Sequence, residues 1–183
     1  MIYPHLNLHT VSLIAGIFLI LAHGFALLRP APVQQWLRKF PRSKGAGIFF
    51  LAVDEVWALS IVATMDMGEF TYMRNVLLVV IVVATFLTFR YVDEFLAVRA
   101  LGIFLLLLAE PLIEAAFLQP ETWRLLLVLW AYVLAVFGMI WVGMPYTLRD
   151  QIDWVRKSKA AWGAATAAGV VYGGALAVCA LMR

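Results

Sequence analysis

Residues 101–118 read LGIFLLLLAEPLIEAAFL, an apolar run interrupted only by Glu110, Pro111 and Glu114. About 20 mostly apolar residues are needed for a helix to cross the ~30 Å hydrocarbon layer of a bilayer. A run of this length and composition predicts a transmembrane span, and the two glutamates within it are its unusual feature. Working outward, five further runs of the same kind cover residues 10–28, 45–64, 75–89, 124–144 and 160–182. The run at 75–89 is the shortest and needs either longer ends or an Arg90 side chain that snorkels to the interface.

Composition agrees with this. The chain has 183 residues and is 64% hydrophobic, with a mean hydropathy of +0.93, well above the roughly 45–50% apolar usage of soluble domains. Its length suits one domain. The expected fold is therefore an all-α, polytopic integral membrane bundle of six transmembrane helices forming a single domain over residues 1–183. The segment before the first run, MIYPHLNLHT, has no Lys or Arg to form a basic signal-peptide region, so the first span is expected to be retained.

The charge distribution sets an expected orientation. Arg29, Arg38, Lys39, Arg42, Lys44, Arg90, Arg99, Arg149, Arg156, Lys157 and Lys159 fall in the loops after spans one, three and five, whereas the opposite side has only Arg74, Arg124 and Arg183. By the positive-inside tendency this places both termini on the non-cytoplasmic side, with a bacterial inner membrane as the expected location. The net charge of +3 is then a topology signal, and no nucleic-acid partner is expected. Membrane lipids are the expected surroundings, with a homo-oligomer or a larger membrane complex as the expected assembly.

The basic loops share a pattern. Trp36-Leu37-Arg38-Lys39 recurs as Trp154-Val155-Arg156-Lys157, with Phe95 to Arg99 as a weaker copy. Gly47-Ile48-Phe49 and Gly102-Ile103-Phe104 open the second and fourth spans and bring Glu55 and Glu110 into register. Three parallel two-helix repeats account for this. Residues 33–40 and 146–157 mix aromatic, apolar and charged side chains at helical spacing, which predicts helices lying along the membrane surface.

The chemistry is expected at the acids within the spans: Asp54, Glu55, Glu110 and Glu114. A charge at mid-membrane costs roughly 2.5–3.5 kcal/mol on insertion scales, so four carboxylates call for compensation by protonation, a bound cation or interhelical hydrogen bonds. Glu110 and Glu114 share a helix face, while Asp54 and Glu55 diverge by about 100°. Adjacent second and fourth spans would bring Glu55 to the fourth-span glutamates and turn Asp54 elsewhere. Pro111 would open the carbonyl of Leu107 beside them. Tyr172 and Trp57 are expected in support.

Gly169 and Gly173 form a GxxxG pair suited to close helix packing or an oligomer contact. His5 and His9 are one helical turn apart and are weak metal-ligand candidates without an evident third ligand. His9 and His23 are spaced as in the haem-bearing helices of b-type cytochromes, yet no histidine follows in the later spans. The single cysteine, Cys179, precludes an intrachain disulfide, and nothing in the sequence names a cofactor. The functions considered are a cation- or proton-handling transporter or channel subunit, a non-catalytic subunit of a larger membrane complex, and an intramembrane lipid-modifying enzyme. HExxH, GxSxG and the aspartate signature of CDP-alcohol phosphotransferases are missing from the sequence, so no catalytic residue is assigned.

Overall fold

A computed structural model describes residue 3, residues 6–91 and residues 95–182. The described residues form eight α-helices: α1 (Leu8–Leu28), α2 (Pro30–Lys39), α3 (Lys44–Thr64), α4 (Arg74–Tyr91), α5 (Leu96–Ala116), α6 (Arg124–Gly143), α7 (Tyr146–Arg156) and α8 (Lys159–Leu181). All but α2 and α7 are long and apolar enough to cross a membrane. The short third run gains length because a 3₁₀ segment, Gly68–Met73, leads directly into α4.

Side-chain caps start three of the spanning helices. The Asn7 side chain accepts from the His9 backbone N–H at 2.9 Å, and Ser43 Oγ accepts from Ala46 N at 3.2 Å. Ser158 Oγ accepts from Ala161 N at 3.4 Å. Each satisfies a backbone donor that the first turn leaves open. Helix α5 starts at Leu96 rather than near residue 101, so Arg99 belongs to its first two turns and not to a loop. Its cap is Phe95, in the left-handed region at φ +58°.

In lipid, apolar burial no longer separates the inside from the outside, and helices associate through close van der Waals contact at small residues. The bundle follows that rule. A Cβ at Gly173 of α8 would lie 2.7 Å from the carbonyl oxygen of Gly16 in α1. One at Gly138 of α6 would lie 2.8 Å from that of Gly102 in α5, and one at Gly47 of α3 would lie 2.9 Å from the backbone nitrogen of Ala97 in α5. Gly16 and Gly173 join α1 to α8, Gly102 and Gly138 join α5 to α6, and Gly47 seats α3 on α5. A shared core of Leu8, Leu19, Leu112, Leu127, Leu134 and Leu176 ties α1, α5, α6 and α8 together.

Helix α4 packs on α3, and none of its residues is buried. The outer surface of the bundle is apolar, with Phe18, Leu21, Val79, Phe86 and Val171 more than half exposed. Helices α2 and α7 lie against each other at the end of the bundle where the basic residues gather. Leu148 and Ile152 anchor α7 by packing with Phe40, Ala97 and Val98.

Candidate functional site

The candidate site follows from the way α3 meets α5. Gly47, Leu51 and Asp54 are the buried residues of α3 and recur at i, i+4 and i+7, one helix face. Gly47 abuts Ala97 and Leu51 packs with Leu96 and Ala100, so this face looks at α5. Asp54 continues it. Its side chain is only 4% exposed, and neither carboxylate oxygen has a hydrogen-bond partner among the described residues. The basic residue of α3, Lys44, is ten positions away along the helix, about 15 Å at 1.5 Å per residue.

Glu55, one position on, is turned by about 100° toward α4, where Thr85 Oγ1 donates to its Oε2. The expected geometry is thus exchanged: Asp54 faces α5, and Glu55 faces away from it. The close approach at Gly47 decides this, because it orients the helix, and position 54 lies two turns above it while position 55 does not.

Glu110 and Glu114 lie on one face of α5, and both are partly exposed. Glu114 Oε2 accepts from the backbone N–H of Tyr3 at 3.1 Å. Trp57 Nε1 donates to the Tyr3 hydroxyl at 2.6 Å, and the Trp57 ring stands edge-on to Phe104 at 5.8 Å. Tyr3 therefore bridges α3 and α5 at the end opposite the basic loops. Asp54 is one turn deeper than Trp57. Tyr3 and Thr85 went unrecognised at the sequence level, since a lone tyrosine before a span and a lone threonine within one carry no periodic signal.

Tyr172 is directed to α6 and not to the carboxylates: its hydroxyl donates to the Leu126 carbonyl at 2.7 Å, and its ring lies 6.0 Å from that of Trp130. Gly169 and Gly173 both face α1, with Gly169 leaving room for the His23 ring. The His23 Nδ1–H donates to the Leu19 carbonyl at 3.0 Å, since a carbonyl only accepts. His9 likewise donates from Nδ1 to the Ala180 carbonyl at 2.9 Å, and its Nε2 lies 3.7 Å from Glu121 Oε1. His5 lies outside the described residues. Among the described residues no three His, Cys, Asp or Glu side chains converge in a metal-binding group.

The six helices long and apolar enough to cross a membrane give the chain the architecture of a multi-pass α-helical membrane protein. No protein-family model, curated protein or solved structure matches the chain.

Proposed function

We propose that the chain handles protons or small cations within the membrane, with Asp54 as the central group and the α3–α5 seam as the path. The observation that carries this is a carboxylate 4% exposed with no hydrogen-bond partner among the described residues. An ionised carboxylate in an apolar interior costs several kcal/mol unless its charge is matched, and here a proton or a cation does the matching. Glu114, Tyr3 and Trp57 form the far-side approach, with Glu110 between them and the bundle centre. Glu55 secures α4 through Thr85. The basic loops favour a cytoplasmic location for their end, both termini on the other side, and a bacterial inner membrane as the site of action.

Flux measurements in proteoliposomes test this. Wild type dissipates an imposed proton, sodium or potassium gradient faster than protein-free vesicles, and Asp54→Asn abolishes the difference while keeping helicity and dispersity. A wild type that passes none of these ions, or a variant that passes them equally well, removes the proposal.

A second reading is favoured by α4. A spanning helix seated on α3 with no buried residue offers a broad face to a neighbouring chain, as in a subunit of a homo-oligomer or larger complex. Cross-linking from cysteines placed on the outward face of α4 in native membranes distinguishes a protein neighbour from lipid.

A further inference from the structure

The basic end of the bundle holds a cavity unrelated to the carboxylates. It encloses about 200 Å³ between α2, the turn that follows it, the start of α5, and α7. Arg38, Arg42 and Arg149 line it together with Asp153, and Pro41 and Phe95 contribute apolar wall. Arg38 and Arg42 bring two like charges to one wall of this small space, and Asp153 is the one carboxylate among its described lining residues. Two described carboxylates nearby are each already shared with an arginine of α7. Asp153 pairs with Arg156 at 3.5 Å, and Asp150 accepts from Arg149 Nη2 at 2.9 Å and Nε at 3.0 Å, which occupies that guanidinium. Arg38 and Arg42 form no ion pair among the described residues.

The cavity is a formed feature of the fold. Pro41 is buried in the turn, and Phe95 packs with Phe40, Leu148 and Ile152 beneath the arginines. Phe95 is also held at φ +58°, a left-handed conformation that is unfavourable for a bulky side chain and persists only where the surroundings enforce it.

Depth indicates the source of the anion. The cavity lies at the end of the bundle where the six spanning helices begin or end, which in a bilayer is the level of the lipid head groups. Trp36 of α2 and Trp154 of α7 are 60% and 68% exposed, as expected for aromatic anchors in that layer. Planar guanidiniums match phosphate oxygens with paired N–H donors, and basic pockets at this depth suit anionic lipid head groups. A zwitterionic head group would bring its own ammonium toward the arginines.

We infer that this cavity seats the phosphodiester of an anionic phospholipid. Arg38 and Arg42 donate to its oxygens, and the glycerol rests on Pro41 and Phe95. The site lies between α2 and α7 and does not depend on what the carboxylate seam conducts.

The test uses the full chain in nanodiscs of neutral phosphatidylcholine into which phosphatidylglycerol is titrated, read by melting temperature and by native mass spectrometry of retained lipid. Wild type gains stability with phosphatidylglycerol and retains it in preference to phosphatidylcholine. Arg38→Gln/Arg42→Gln weakens that preference by about tenfold or more, whereas Arg29→Gln/Lys39→Gln, with the same change in charge at the same end but outside the cavity wall, keeps it. Arg42→Lys, which retains charge but loses the guanidinium fork, gives an intermediate loss and provides a milder variant if the double one does not fold. Equal binding of both lipids, or equal loss in the two double variants, overturns the inference. Stabilisation by soluble glycerol 3-phosphate in phosphatidylcholine nanodiscs, matching that by phosphatidylglycerol, overturns the lipid as the source.

Discussion

Gly16 and Gly173 meet across α1 and α8 so closely that a Cβ on either would stand 2.7 Å from the other's carbonyl oxygen. With no hydrophobic gain available between helices in lipid, the contact of two backbones at this point holds the first span to the last. Substituting Gly173→Leu forces the helices apart and lowers stability by about 1–3 kcal/mol or more. Gly174→Ala, with nothing within 4 Å of the added carbon, raises it by up to roughly 1 kcal/mol through helix propensity. Detergent-denaturation midpoints of the two variants check the contrast.

Asp54 opposes stability to activity. Asp54→Leu removes a buried carboxylate without a described hydrogen-bond partner and raises stability by about 1–3 kcal/mol, while abolishing the ion flux proposed above. Thermal unfolding and proteoliposome flux measured on the same preparation give the two readings. A destabilised Asp54→Leu protein would mean that the carboxylate has a partner in the folded bundle.

Tyr3 holds the seam at its far end. Tyr3→Phe removes the acceptor of the part-buried Trp57 indole N–H at a cost of about 0.5–1.5 kcal/mol, and shifts that one indole resonance in the NMR spectrum of indole-labelled protein. Trp57→Phe abolishes the same resonance and identifies it.

Thr85 and Glu55 join α4 to the bundle. Thr85→Val removes the donor while keeping the volume, so amide exchange in α4 accelerates and that in α5 and α6 stays unchanged. Uniform acceleration across all helices would show that α4 is integral to the bundle's cooperative unit.

The spans were legible because lipid imposes a length and a composition on anything that crosses it. The helix limits in the structure fall within two residues of those read from hydropathy, except at the start of α5, which lies five residues earlier. Phe95 explains that exception: a left-handed cap formed by a bulky aromatic has no sequence signature, unlike Ser43 and Ser158. The short helices α2 and α7 were legible from the spacing of their charges and tryptophans.

That the four carboxylates lie within long apolar helices was legible, but the direction of each was not. Adjacent positions diverge by about 100°, so the choice between Asp54 and Glu55 depends on which helix α3 packs against, and hydropathy does not contain that information. The cue lay in Gly47, Leu51 and Asp54, which share a face beginning at a glycine. The arginine cavity was missed for a related reason: Arg38 and Arg149 are more than a hundred positions apart and looked like two separate topology signals.

The pairing of α1 with α8 also bears on how the chain is made. Gly16 emerges from the ribosome 157 residues before its partner Gly173, an interval of on the order of ten to thirty seconds at bacterial or eukaryotic elongation rates. Helices α3, α5 and α6 have their principal neighbours within that window, whereas α1 waits in the insertion machinery or in lipid with its glycine face uncovered. The contact that joins the first span to the last therefore forms only once α8 has been made.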